Sequence, residues 1–271
     1  MDLKEINFLK EKAEEIRKLI FKEICTFGSG HIGGCLSIAD VLAVIYFKTA
    51  NVDPKNPKMA DRDRVVLSKG HAGPGLYACL CAKGYFDESV LLTLNQPGTK
   101  LPSHCDMNKV VGVDMTAGSL GQGFSCAVGM ALAAKMDKKK YNVYCIIGDG
   151  ESQEGQIWEA AMYAGSHQLN NLIIFVDDNK MQIDGPTAEV NNVEPLDEKF
   201  KAFNFDTVSI DGHNIEEIYQ AIDNAKRSKE KRPHCIILNT IKAKGMPEYE
   251  GKPSSHSVSF TPELIKKYKG E

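Results

Sequence analysis

Residues 141–185 read YNVYCIIGDGESQEGQIWEAAMYAGSHQLNNLIIFVDDNKMQIDG and constrain the fold more than any other stretch. Two apolar runs, 143–147 and 172–176, each stop abruptly in acids, amides or glycines. Between them, residues 157–164 carry apolar side chains at helical spacing. Such a pattern predicts two buried strands joined by a helix, the βαβ unit of a parallel sheet. Ligands of parallel sheets bind beyond the carboxyl ends of the strands. Asp149 and Asn179 fall at two such ends, so they can converge on one ion.

Their chemistry narrows the ion. A carboxylate oxygen and an amide oxygen are hard ligands, suited to Mg²⁺ or Ca²⁺ rather than zinc. Mg²⁺ takes few protein ligands and completes its shell with water and phosphate oxygens. Gly148 and Gly150 let the backbone approach a phosphate closely. The implied ligand is a metal-bridged diphosphate. Each half alone also fits a plain turn or a helix cap, but their pairing on successive strands favours the ligand site.

The rest of the chain alternates in the same way. Residues 3–24 predict an amphipathic helix with Leu9, Ala13, Ile16 and Ile20 on one stripe. A glycine-rich break follows at 28–34, and Ser37 is placed to cap a helix over 38–47. Residues 51–63 form a polar loop, 65–67 a short strand, and the segment to Lys83 an Ala- and Leu-rich helix. Asp87 is placed to cap a short helix to Asn95, and 96–110 is an irregular loop. Gly118-Ser119-Leu120-Gly121-Gln122-Gly123 opens a helix that runs to Met136. Its glycine order is wrong for a dinucleotide fingerprint and no strand immediately precedes it. A glycine turn offering backbone amides to an anion at a helix N-terminus is the better reading. Residues 186–195 are a polar loop. Residues 207–210 and 235–238 predict two more buried strands around a helix at 215–227. An irregular stretch over 242–258 and a short basic helix complete a single α/β domain spanning 1–271, with a parallel sheet flanked by helices.

Composition excludes several classes. A net charge of −3 implies no polyanion partner, so no nucleic acid. The charged N-terminus is unlike a signal peptide, and no apolar run reaches the roughly 18 residues of a membrane span. Eight unevenly spaced cysteines without a CxxC pair favour reduced thiols and a cytoplasmic protein.

Four histidines stand in Gly-, Ser- or Pro-rich breaks: His31 in GSGHIGG, His71 in LSKGHAG, His104 in LPSHCD and His256 in SSHSV. They lack the short spacing of a zinc site. Together with GDGESQEGQIWEAA and DDNKMQIDG, these loops resemble the N-terminal, diphosphate-binding domain of transketolase, from about residue 16 to 256. The resemblance implies the thiamine diphosphate-binding fold, with Asp149, Asn179 and the Met181 carbonyl holding Mg²⁺ or Ca²⁺. It implies cofactor contacts from Gly118, Ser119 and Leu120 in the glycine turn, and from Gly148, Gly150 and Glu151 around the GDG turn. Ile183 and Ile241 are expected near the cofactor rings, and His71 and His256 at the diphosphate or the reacting centre. His31 and His104 are expected to face the donor sugar, so all four histidines are catalytic candidates. Glu154 matches a glutamate that meets its counterpart across the family's dimer, and equally fits an exposed helix residue.

The implied activity is transfer of a two-carbon ketol unit from a ketose phosphate, such as xylulose 5-phosphate, to an aldose phosphate. Departures from the family pattern, at Ile32, Cys105, Ser119 and 257–259, spare the expected ligands. The chain stops where the family's first domain ends, which leads to the expectation of a split transketolase. A separate C-terminal subunit would bring the pyrimidine-binding domain in a two-plus-two (α2β2) assembly. Two other readings stand beside this one: a subunit of a different thiamine diphosphate enzyme, of the deoxyxylulose-phosphate synthase or 2-oxo acid dehydrogenase alpha type, and a non-catalytic cofactor-holding protein.

Overall fold

The structure, a computed structural model, describes residues 1–269. The last two residues of the expected domain lie outside the described part. Helix α1 (Leu3–Phe27) opens with a capping box, in which Asp2 accepts from the Glu5 amide at 2.9 Å and Glu5 accepts from the Asp2 amide at 3.3 Å. That arrangement satisfies two orphan amides of the first turn. Strand β1 (Ser29–Gly30), α2 (Ile32–Leu36) and α3 (Ala39–Val44) follow, and α3 runs into a π-helical turn, Ile45–Thr49. Then come β2 (Arg64–Leu67), α4 (Gly73–Lys83), α5 (Glu88–Leu91), α6 (Gln122–Met136), β3 (Val143–Gly148), α7 (Gly155–Ser166) and β4 (Leu172–Asp178). Short α8 (Thr187–Val190) and α9 (Leu196–Ala202) precede β5 (Asp206–Asp211), α10 (Ile215–Arg227), β6 (His234–Asn239), β7 (Val258–Ser259) and α11 (Pro262–Lys269).

Five strands form one wholly parallel sheet in the order β2-β3-β4-β6-β5. The central strands β3 and β4 are buried along their whole length, as their unbroken apolar runs predict. Alternation divides the core in two. Tyr144, Ile146, Ile173 and Phe175 point into a cluster with α1, α3, α4 and α10. Val143, Cys145, Ile147, Ile174 and Val176 point into a second cluster with α6, α7 and α9. The expected α/β layering is therefore present, helices covering both faces of the sheet.

Three local expectations are corrected. Residues 206–211 form an edge strand and stay largely exposed rather than buried, because one side of β5 has no neighbouring strand. Ser37 does not N-cap α3, where Ile38 stands: it is the buried C-cap of α2, and its hydroxyl donates to Asp177 Oδ2 at 2.7 Å. Asp87 occupies the N-cap of α5 but makes no side-chain capping bond, and α5 ends at Leu91 rather than near Asn95. The two-residue ladder between β1 and β7 was not expected; it pairs Ser29 with Ser259 and Gly30 with Val258. All eight cysteines are free thiols. Among the described residues no helix is long and apolar enough to cross a membrane.

Candidate active site

The carboxyl ends of β2, β3, β4 and β6 adjoin, and each delivers polar groups to one cleft of about 380 Å³. Strand β2 runs into Ser68-Lys69-Gly70-His71, β3 into Asp149-Gly150, β4 into Asn179 and Met181, and β6 into Thr240-Ile241-Lys242. Loops far apart in sequence close over it. His31, His71, His104 and His256 all line the cleft, with ring centroids 5.6 Å apart for His31–His71, 5.5 Å for His31–His104, 5.3 Å for His31–His256 and 5.0 Å for His71–His256.

Backbone approach explains the glycines beside these histidines. A Cβ on Gly33 would stand 2.6 Å from the Ser255 carbonyl oxygen, so only glycine lets the His31 loop close on the residue before His256. A Cβ on Gly70 would stand 2.0 Å from the Ala117 carbonyl oxygen, which fixes His71 against the 117–121 turn. The β1–β7 ladder locks the His31 and His256 segments from the other side.

Four rings in one half-buried space disfavour the imidazolium form. Burial, then the neighbouring His104, lowers the pKa of His31. Burial lowers that of His104, and burial with Lys69 and the other three rings holds His71 well below the usual range. Burial, Lys242, His31 and Lys69 bring His256 to about 4. At neutral pH these are neutral rings, able to give or take a hydrogen bond at a substrate hydroxyl or carbonyl. Among the described residues no group of three or more His, Cys, Asp or Glu is arranged to hold a metal.

Two carboxylates on adjacent strands contrast sharply. Asp177, fully buried, accepts from Lys69 Nζ at 2.5 Å, Ser37 Oγ at 2.7 Å, Thr240 Oγ1 at 2.5 Å and Asn179 Nδ2 at 2.9 Å. Burial alone would raise its pKa, but Lys69 and these donors carry it below the ordinary value. Asp149 has one short bond, from the Gly150 amide to Oδ1 at 2.7 Å, while its buried Oδ2 has no hydrogen-bond partner. Burial, with Asp177 nearby, raises its pKa to about 7.

A buried carboxylate oxygen without a partner calls for one, and a cation can be that partner. The other donors suit it. The Asp177 bond to Asn179 Nδ2 leaves Oδ1 as the amide's free face, touched only by the Met181 amide at 3.2 Å. The Met181 carbonyl accepts from Lys242 Nζ at 3.2 Å and keeps a second lone pair. A carboxylate, an amide and a carbonyl oxygen fit Mg²⁺ or Ca²⁺, and the buried ammoniums of Lys69 and Lys242 suit a polyanionic ligand.

Gly118, Leu120, Gly148, Gly150 and Ile183 line the cleft. Glu151 lines it too, but its oxygens turn inward, accepting from Ser68 Oγ at 2.5 Å and from the Gly121 and Gly148 amides at 2.7 and 3.0 Å. It is a bracket between three loops, and the anion on the Gly121 amide is this carboxylate. Ser119 and Ile241 are not in the lining: both side chains are exposed. Glu154 is exposed on the rim, at the N-cap of α7. Sequence reasoning missed Lys69, Asp177, Thr240 and Lys242. Of the two lysines, only Lys69 stands within two residues of a buried strand's end, and nothing in the sequence ties it to Asp177, Thr240 or Lys242.

Comparison with known proteins identifies the family. The family described as "Transketolase, thiamine diphosphate binding domain" matches residues 9–271. A 6-deoxy-6-sulfo-D-fructose transketolase subunit of Clostridium sp. is 58% identical over 95% of this chain and 94% of its own length. An apulose-4-phosphate transketolase subunit of Phocaeicola vulgatus is 39% identical over 93% of this chain and 89% of its own. The crystal structure of transketolase from Campylobacter jejuni superposes with a TM-score of 0.91 at 37% identity, covering 100% of this chain but 43% of that one. The chain thus spans less than half the length of that transketolase and nearly the whole length of the two named subunits. By motif, fold and sequence identity, it belongs to the transketolase family through its thiamine diphosphate-binding, N-terminal domain.

Proposed function

We propose that this chain is a single diphosphate-binding domain that serves as one half of a two-subunit transketolase, which moves a two-carbon ketol unit from a ketose to an aldose. The observation that carries this reading is the orphaned Asp149 Oδ2 in a cleft shared with Asn179, Met181 and four neutral histidines. Asp149, Asn179 and the Met181 carbonyl hold Mg²⁺ or Ca²⁺ in this reading. The Gly150 amide, the Gly118–Leu120 turn and the ammonium of Lys242 take the diphosphate. Thiamine diphosphate, when bound, supplies the electron sink that lets the carbon–carbon bond beside a ketone break and re-form. The protein's own part is to hold, orient and move protons. His71 and His256 stand beside the two lysines and serve the diphosphate or the reacting carbon. His31, at the centre of the ring cluster, and His104 beside it give and take protons at donor hydroxyls.

The split organisation is supported by the coverage figures: relatives named as subunits match along nearly their whole length. A C-terminal subunit bearing the pyrimidine-binding domain completes each site in an α2β2 assembly, placed in the cytoplasm. The sulfosugar named for the relative at 58% identity makes a ketose with an anionic group at C6, sulfonate or phosphate, the first donor class to test.

The test is ketol transfer to an aldose phosphate with thiamine diphosphate and Mg²⁺, comparing the chain alone with the chain plus its complementary subunit. Xylulose 5-phosphate and 6-deoxy-6-sulfofructose serve as donors. Activity confined to the mixture supports the reading. A normal rate from the chain alone sinks the split site. Turnover of pyruvate in place of any ketose moves the protein to another thiamine diphosphate class.

A further inference from the structure

We infer that Asp40 and His213 form a positioning pair that sets the place of the 240–242 segment beyond β6, and through it the grip of the site on its cofactor. The second half of this inference rests on the cofactor reading above. His213 lies in the loop before α10, and neither residue lines the cleft. Its Nδ1 is 2.8 Å from Asp40 Oδ2, and its Nε2 is 2.9 Å from the Ile241 backbone nitrogen. The Ile241 group is an N–H and can only donate, so Nε2 accepts and the ring proton is on Nδ1, donated to Asp40. One bond thereby fixes the tautomer required by the other. Arg17, buried with Asp40, pairs with the same Oδ2 and holds that carboxylate in place.

The segment so held carries much of the cleft's electrostatics. Thr240 Oγ1 donates to Asp177 Oδ1, and the Thr240 amide to the Asp178 carbonyl at 3.2 Å. Lys242 Nζ reaches the Met181 carbonyl. The Ala243 amide donates to the Gly33 carbonyl at 3.0 Å, beside the His31 loop. The Ile241 amide is the one backbone donor of residues 240–243 that is held by a side chain rather than by a carbonyl. Through Asp40 and Arg17 it ties α3 and α1 to this segment. Release of that link leaves the Ile241 amide without a partner, while the Ile241 and Lys242 carbonyls still accept from the Lys244 and Gly251 amides at 3.2 and 2.8 Å.

The experiment uses the full chain. Nitrogen NMR of labelled histidine is expected to find Nδ1 protonated and Nε2 bare at His213. Amide exchange at Ile241 is expected to quicken at least about 10-fold in His213→Phe and to be partly restored in His213→Gln, which keeps an acceptor. Asp40→Asn, which can offer an N–H to Nδ1, is expected to favour the other tautomer and quicken the same amide. With the complementary subunit present, the apparent dissociation constant for thiamine diphosphate with Mg²⁺ should rise about 10- to 100-fold in His213→Phe, the range known for outer-shell residues. The kcat at saturating cofactor should stay within about 2-fold. A protonated Nε2 in the wild type, or unchanged exchange at Ile241 in His213→Phe, overturns the inference. So does unchanged cofactor affinity in that variant when the wild type binds. A wild type that takes up no cofactor refutes the functional reading instead, and the tautomer and exchange data still decide the positioning claim. Asp40→Asn strands Arg17 beside a neutral partner; if it fails to fold, the two His213 variants decide alone.

Discussion

The ends of β3 and β4 lie side by side, and two of their buried aspartates, Asp149 and Asp177, are in opposite states. Asp177 is saturated, with a lysine, two hydroxyls and an amide on its oxygens, and its pKa is lowered. Asp149 has one oxygen without a partner and a pKa raised to about 7. The difference shows that burial does not decide a carboxylate's role; its donors do. Asp177 is built to hold the scaffold, tying β4 to β2 through Lys69, to α2's end through Ser37 and to β6's end through Thr240. Asp149 is built to be completed by something that arrives.

The largest effect should come from breaking the saturated member. Asp177→Asn leaves the Lys69 ammonium buried without its counter-charge, which typically costs about 3–5 kcal/mol. Chemical denaturation of the metal-free chain measures it. Asp149→Asn should do the reverse in the same assay, gaining about 1–3 kcal/mol at pH 8 because an uncompensated buried charge is removed. In the assembled enzyme, however, Asp149→Asn should lower activity at fixed Mg²⁺ and cofactor by at least about 100-fold, beyond the usual outer-shell loss. If both variants destabilise equally, the contrast between the two acids is wrong.

pH sharpens the same contrast. The folded-state pKa of Asp149, about 7, is above its unfolded value of 3.8. In the metal-free chain the folded state therefore keeps a proton that the unfolded state has released. Its contribution is fully present below about pH 4 and is lost as pH rises through 7. The stability difference between wild type and Asp149→Asn should grow from pH 5 to pH 8, in favour of the variant. A cation must displace that proton, so binding of Mg²⁺ with the cofactor should release protons near pH 6 and tighten as pH rises to about 7. A flat difference between the two proteins across this range would mean that Asp149 is already paired.

Much of this was legible in the sequence, and the residues say why. Strands β3 and β4 announced themselves because a central parallel strand is apolar on both faces and stops where the chain meets solvent or ligand. Asp149 and Asn179 were legible because they stand at those stops. The four histidines, spread from residue 31 to 256, carried no joint signal of spacing; only resemblance grouped them, and the loops then brought the rings within 5.0–5.6 Å of their neighbours. Lys69 and Asp177 were missed because an ion pair spanning 108 positions leaves no local pattern. Ser37 looked like a cap because a serine before an apolar helix usually is one; here a buried carboxylate competes for its hydroxyl. Strand β5 read as buried because β-branched residues mark a strand without telling edge from centre.

Lys242 stands between the two acids, and it tests whether they are separate. Burial lowers its pKa to about 8, against the attraction of Asp149 and Asp177. Its ammonium holds the Met181 carbonyl and, at 3.5 Å, that of Gln182. Lys242→Met keeps the stem's packing and removes the charge. Apparent cofactor affinity should weaken about 10-fold, while stability of the metal-free chain at pH 7 should change by less than about 1 kcal/mol, the lost hydrogen bonds offsetting the relieved burial of charge. A loss of several kcal/mol would place Lys242 with Lys69, as part of the scaffold.

The smallest effects should come from Ser119 and Ile241, whose side chains stand outside the cleft lining. Ser119→Ala removes a surface hydroxyl and should leave stability within about 0.5 kcal/mol and activity within about 2-fold. Ile241→Ala is the sharper case, because its amide is held by His213 while its side chain is 39% exposed. If polar bonds alone fix the 240–242 segment, truncating this side chain should also cost no more than about 0.5 kcal/mol in the chain by itself. A cost near 2 kcal/mol would mean that apolar packing shares the task. In that case the end of β6 would be held as β4 is, by burial around the chain, and Asp177 would be one anchor among several.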